Sequence, residues 1–246
     1  YLVAQKNHIK TMNRSSTIIV HDAFAFKGGG ERLVHILCKE LEADLAFGYK
    51  KDGSFNLSEL RGHLINLKSE SKIPLWRTLN RLHTFCKKTR FLNNYENVIY
   101  TGQNSPLAIS NHSKGKNIYY CHTPPRSIYD LKEVHLASHP PLQKLAHIFY
   151  SSIFKPLYEK AINKMDVIVA NSKNVQNRIH KFFELNSIVI YPPCETKKFR
   201  WLGQKDYYLS TARLAPYKRI DIIIRAFSML PINVSSYPPR DQKRED

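Results

Sequence analysis

Seven short apolar runs recur along the first four-fifths of the chain, separated by stretches of helical periodicity or by turn-rich loop. They are Thr17–Val20, Ala43–Phe47, Gly62–Leu67, Val98–Thr101, Asn117–Cys121, Asp166–Ala170 and Ser187–Tyr191. Runs this short and this rich in Val, Ile and Tyr read as strands buried on both faces. A strand followed by a helix returns to its sheet most simply as a parallel neighbour, so the alternation predicts an α/β domain around a parallel sheet.

The helical segments fit between these runs. Leu33, Val34, Ile36, Leu37 and Leu41 form an apolar face after a glycine triplet. Trp76–Phe91 puts Trp76, Leu79, Leu82 and Cys86 on one face and crowds Arg77, Arg81, Lys87, Lys88 and Arg90 on the others. Its plain reading is a solvated basic face, and its sharper one a contact with anionic lipid headgroups. In Pro140–Lys164 the stripe Leu142, Leu145, Phe149, Ile153, Leu157 and Ala161 predicts core packing. Lys173–Phe183 follows Ser172, which is placed to cap it.

Three turns carry chemistry. Gly28-Gly29-Gly30-Glu31-Arg32 lies between the first strand and its helix, where absent side chains let backbone N–H groups approach an anion or a sugar. The fifth strand runs into His122-Thr123-Pro124-Pro125-Arg126. Residues just past the carboxyl end of a parallel strand face the ligand crevice, and the two prolines stiffen the turn that aims His122 and Arg126. Leu209–Phe227 reads as strand, turn and apolar helix, with Arg213 and Lys218 in the turn. Two cations at a helix start suit a phosphate group, although each turn taken alone also reads as an ordinary basic or flexible loop.

The formal net charge of +18 requires an anionic partner or surface, and nucleotide-sugar phosphates, phospholipid headgroups and nucleic acid all qualify. No helix-turn-helix, zinc-finger or RNA-reading signature is present, so no specific nucleic acid is expected. No apolar run reaches membrane-spanning length, and Tyr1–Thr11 lacks the apolar core of a leader. Cys38, Cys86, Cys121 and Cys194 have no metal-ligand spacing and read as free buried thiols in the cytoplasm. No metal site is expected.

Taken together, five segments in order resemble the retaining GT-B glycosyltransferases of family 4, in particular bacterial mannosyltransferases of O-antigen and related polysaccharides. They are Gly28–Leu33, Tyr120–Arg126, Val169–Ser172 with Val175, Arg178 and Ile179, Tyr191-Pro192-Pro193, and Ser210–Leu214 with Lys218–Asp221. The resemblance implies two Rossmann-like domains facing each other across a cleft. Residues 12–191 would be the acceptor-side domain, 192–205 a linker and 206–230 the first βα unit of the nucleotide-sugar domain. His122 would be the catalytic residue, touching a sugar hydroxyl of the donor. Arg213, Lys218, Gly29 and Gly30 would bind the donor diphosphate. Glu31, Arg32, Arg126 and Ser172 would line the cleft near the acceptor. The donor implied is GDP-mannose, with no further cofactor, and the acceptor is a lipid-linked saccharide. The basic surface would then sit peripherally on the inner face of the cell membrane.

Two departures accompany the resemblance. Cys194-Glu195 replaces the usual Val-Asp in the linker. The family's downstream glutamate motif, which would hold the donor ribose and hexose, has no counterpart in 231–246. That segment is expected to be a disordered tail left by truncation or a shifted reading frame. Met12 precedes the first strand directly, which suggests that residues 1–11 lie upstream of the natural start. Two other readings stay open: a non-catalytic fragment that pairs with a separate second half, and a basic module for anionic surfaces or nucleic acid.

Overall fold

The computed structural model describes residues 15–230 apart from 72, 202, 205–207, 213 and 215–217. The segments 1–11 and 231–246, with their expected start and tail, lie outside the described residues. Two compact units follow one another along the chain and divide between Cys194 and Glu195.

The first unit is built on one sheet. Its strands are β1 (Thr17–His21), β2 (Asp44–Phe47), β3 (Leu64–Asn66), β4 (Asn97–Thr101), β5 (Lys116–Cys121), β6 (Val167–Ala170) and β7 (Ile188–Val189). They lie in the order β3-β2-β1-β4-β5-β6-β7, and every pair is parallel. Helix α1 (Gly29–Glu40) covers one face, with Val34 and Cys38 packed on Ile19 and Leu45. Helices α2 (Pro74–Lys87), α4 (Pro141–Ile162) and α5 (Lys173–Phe183) cover the other. There Phe85, Phe154, Tyr158 and Ile179 share a core with Ile18, Val20, Tyr100 and Tyr119. A parallel sheet wound in both directions from β1 and β4, with helices on both faces, is the Rossmann-like arrangement.

Several buried polar groups of this core are paired. Asp44 accepts from the Tyr95 hydroxyl at 2.8 Å and from the His63 N–H at 2.8 Å. Tyr119 donates to the Gly102 carbonyl at 3.0 Å, and its oxygen meets the Tyr158 hydroxyl at 2.8 Å. Burial pushes the Cys38 and Cys121 thiols up to about 12, so both are inert packing groups. Cys86 is partly buried, and Cys194 is exposed, contrary to its expected burial. The turn into β5 is tight. Gly115 has φ +102, and a Cβ there would stand 2.0 Å from the Glu96 carbonyl oxygen. Gly115→Ala is therefore expected to cost roughly 3 kcal/mol, read as a lowered urea midpoint. An unchanged midpoint would contradict that packing.

Several sequence expectations need correction. In α4 the buried residues are Ser151, Phe154, Tyr158, Ala161 and Ile162. Of the predicted stripe, Leu142, Leu145, Phe149 and Leu157 are exposed, and only Ala161 is fully buried. The face that the sheet takes is offset by one residue from the predicted stripe, so Leu157 stays out beside buried Tyr158, and the short sheet leaves the first half of the helix uncovered. In α2 the buried anchors are Phe85 and Thr84, while Trp76 is 61% exposed. Helix α3 (Lys132–Ala137) and the 3-10 turns Arg90–Asn94 and Ser105–Asn111 carried no recognised sequence signal. Among the described residues no helix is long and apolar enough to cross a membrane.

In the second unit the expected helix is present as α6 (Ile220–Ser228), and Phe227 packs on the ring of Tyr208 at 4.7 Å between centroids. The strand expected at 207–211 is not formed among the described residues 208–211. A strand needs a neighbour to take its N–H and C=O groups, and the described residues of this unit supply none.

Candidate functional site

In a doubly wound sheet a crevice opens where neighbouring strands lead their chains to opposite sides. Here that point lies between β1 and β4, since β1 leads to β2 on one side and β4 to β5 on the other. The sequence places a polar residue at each strand exit. His21 ends β1 and is buried, with 5% of its surface exposed. Its Nδ1 lies 2.6 Å from the Thr101 hydroxyl and 3.2 Å from the Thr101 carbonyl, both at the end of β4. Its Nε2 is buried without a hydrogen-bond partner.

Asp22 follows and binds the two strand exits together. Its carboxylate accepts from the backbone N–H groups of Gln103 at 2.8 Å, Asn104 at 2.9 Å and Ser105 at 2.8 Å. The Asn104 side-chain amide donates to it as well, at 3.0 Å. The N–H groups that open the 3-10 turn Ser105–Asn111 would otherwise have no acceptor. Gly102 is required beneath this carboxylate, because a Cβ there would stand 2.6 Å from the Asp22 Cγ.

The amino end of α1 arrives at the same edge of the sheet. Gly28 is its N-cap and contributes no side-chain hydrogen bond. A Cβ on Gly28 would meet Glu31 Oε2 at 2.4 Å and the Phe26 ring at 2.5 Å, whereas Gly29 has nothing within 4 Å. Packing therefore does not require Gly29 to lack a side chain. Glu31 turns inward and is buried in the first turn, while Arg32 is exposed on the outer face.

His122 leaves β5 and reaches this helix end. A Cβ on Gly30 would lie 3.5 Å from His122 Nε2, an ordinary contact, so the imidazole stands beside the glycine with room for a methyl group between them. Its Nε2 is buried and unpartnered, and its ring stands 5.5 Å from that of Tyr120. Burial lowers its pKa to about 4; the neighbouring His21 acts in the same direction and Asp22 opposes it. Burial likewise lowers His21, against Asp22 and Glu31. Both rings are neutral at pH 7, so each offers one N–H donor and one bare nitrogen.

Of the other expected residues, Arg126 pairs with Asp130 at 3.0 Å. Asp130 also takes Arg178 at 2.7 Å, and Arg178 donates to the Thr123 hydroxyl. This network braces the Pro124-Pro125 turn behind His122. Ser172 caps α5, accepting from the Val175 N–H at 3.3 Å, and capping accounts for its presence. Lys218 is exposed in the second unit just ahead of α6, and Arg213 lies outside the described residues. The first unit thus brings Gly29, Gly30, Glu31 and His122 to one point. It adds His21 and Asp22, which the sequence reading passed over. Their only signal was position, as polar residues at the exit of a β-branched run.

Comparison with protein-family profiles finds no match, and comparison with curated proteins finds none either. Among solved structures the chain is similar to a sucrose-phosphate synthase from Thermosynechococcus elongatus. The identity is 12% and the TM-score 0.42, over 73% of this chain and 90% of that one.

Proposed function

We propose that this chain carries the acceptor-side domain of a glycosyltransferase, which moves a hexose from a nucleotide sugar to a lipid-linked saccharide. One observation carries the reading: a neutral, buried histidine beside a glycine-opened helix amino end at the sheet's switch point. The free N–H groups and positive dipole of α1 suit an anionic diphosphate. The same positive end favours the His122 tautomer with a bare Nε2 toward the helix, which leaves Nδ1–H to donate to a sugar hydroxyl. The five sequence segments in order support the family, and within it GDP-mannose as donor and transfer with retention. Arg213 and Lys218 would neutralise the departing diphosphate without a metal ion. Arg32, exposed on α1, and Arg126, exposed within its pair with Asp130, would meet an acceptor phosphate. The lipid-linked acceptor places the protein peripherally on the cytoplasmic face of a membrane.

The test is transfer from radiolabelled GDP-mannose to a lipid-linked saccharide, beside thermal protection by the donor. His122→Ala should cost at least a hundredfold in turnover while leaving the fold intact. Gly29→Ala and Gly30→Ala separate function from stability. Glycine inside a helix costs about 1 kcal/mol relative to alanine, so both variants should melt at or above the parent temperature while losing activity. Alanine variants that kept full activity, or a parent chain protected by no nucleotide sugar, would sink the reading.

A further inference from the structure

The surplus length of α4 has a direction. Its 22 residues span about 33 Å. The strands it serves have 6 and 4 residues, or about 20 and 13 Å. Its carboxyl end is tied to the amino edge of the sheet, because β6 begins five residues after Ile162. The first half of α4 therefore overhangs the carboxyl edge, the edge that bears His122 and the glycine turn. That half presents Leu142, Leu145, Ile148 and Phe149 to solvent, with Leu142 79% and Leu145 65% exposed. Helix α3 lies against it through the rings of His135 and His147, 4.4 Å apart, and adds exposed Val134. Helix α2 packs on the same face of the sheet and also starts at the carboxyl edge, where Ile73 and Trp76 are exposed.

The charge on this rim is mostly positive: Arg77 at the start of α2, Lys132 in α3 and Lys144 in the first half of α4 stand against one acid, Glu133 of α3. Residues 74–88 contain Arg77, Arg81, Lys87 and Lys88 and no acid, and residues 140–158 contain Lys144 and Lys155 and no acid. Neither α2 nor α4 has an acidic residue in its first turn. Helix amino ends ordinarily favour acids, and cations close to them are unfavourable unless an anion is near. Exposed aliphatic and aromatic side chains set among cations, with a tryptophan at the boundary, match an interface with anionic lipid. A second copy of the chain fits poorly, since a two-fold contact would press a face with three cations and one acid against itself.

We infer that the rim formed by the start of α2, by α3 and by the first half of α4 seats this chain on an anionic bilayer, with Leu145, Phe149 and Trp76 entering the headgroup boundary. The inference gives a place to the membrane partner of the proposed glycosyltransferase. It rests on that reading for its biological sense, but its test needs no activity.

The full chain carrying Trp201→Phe keeps Trp76 as its one tryptophan. It is titrated with vesicles of phosphatidylcholine containing 30% phosphatidylglycerol and with vesicles of phosphatidylcholine alone. Trp76 emission should shift to the blue and be quenched by brominated acyl chains on the anionic vesicles only. Leu145→Glu with Phe149→Glu should weaken vesicle binding at least tenfold with the melting temperature unchanged, because both positions are exposed. Three results would overturn the inference. They are vesicle binding without a Trp76 shift, undiminished binding by the double variant, and a Trp76 shift that follows self-association in the absence of lipid. Vesicle binding by this rim in a chain that transfers no sugar would sink the enzymatic reading alone.

Discussion

Asp22→Ala is expected to lower stability by roughly 3 kcal/mol, since a hydrogen bond to a charged group is worth about 1.5–3 kcal/mol and this carboxylate accepts several. The loss comes chiefly from what remains behind. Three backbone N–H groups at the opening of a 3-10 turn would lose their acceptor, and two strand exits would lose their clasp. For a domain of this size the melting temperature should fall by about 10 °C. Asp22→Asn tests the cause. It keeps the shape and one acceptor oxygen but turns an amide N–H₂ toward backbone donors, so it should fall between parent and alanine. Equal loss in both variants would place the effect in the negative charge. A shift of under 2 °C in Asp22→Ala would show that the clasp does not hold the switch point.

The same clasp marks how far the sequence could be read. The seven strands and their parallel pairing follow from short apolar runs separated by helical stretches, because a run buried on both faces has few other places to go. His122 and the glycine triplet were legible for a related reason: strand exits and helix entries in such a sheet face one crevice. Asp22 and His21 were not legible. Their roles depend on Thr101 and on 103–105, about 80 residues away, and no local pattern records which turn will arrive beside them. The stripe in α4 failed differently. Helical spacing identifies neither which of two adjoining faces the sheet takes nor how much of it the sheet is long enough to cover, so Leu157 stayed exposed beside buried Tyr158 and the uncovered half became a surface. Ser172 shows the opposite case, because a cap is a local interaction and can be read from its own helix.

Acidification should weaken the fold earlier than its carboxylates alone would dictate. His122 is held at about 4 when folded and returns to about 6.5 when unfolded. Its pKa is depressed by folding, so the unfolded chain binds more protons wherever the pH lies between those two values. Stability is then unaffected by this group above pH 6.5, falls as the pH drops from 6.5 toward 4, and levels off below. At 1.36 kcal/mol per pH unit the loss approaches about 3 kcal/mol near pH 4, and His21 adds to it with the same sign. Urea midpoints at pH 7.5, 6 and 5 should decline in step. His122→Asn should flatten the limb between pH 6.5 and 5 while leaving the midpoint at pH 7.5 nearly unchanged. Asp22→Ala should steepen it, because the carboxylate that favours both imidazolium forms is gone. Should His122→Asn retain the full acid limb, the imidazole would not be the group held neutral against α1. The neutral tautomer whose Nδ1–H makes the proposed sugar contact would then lose its support.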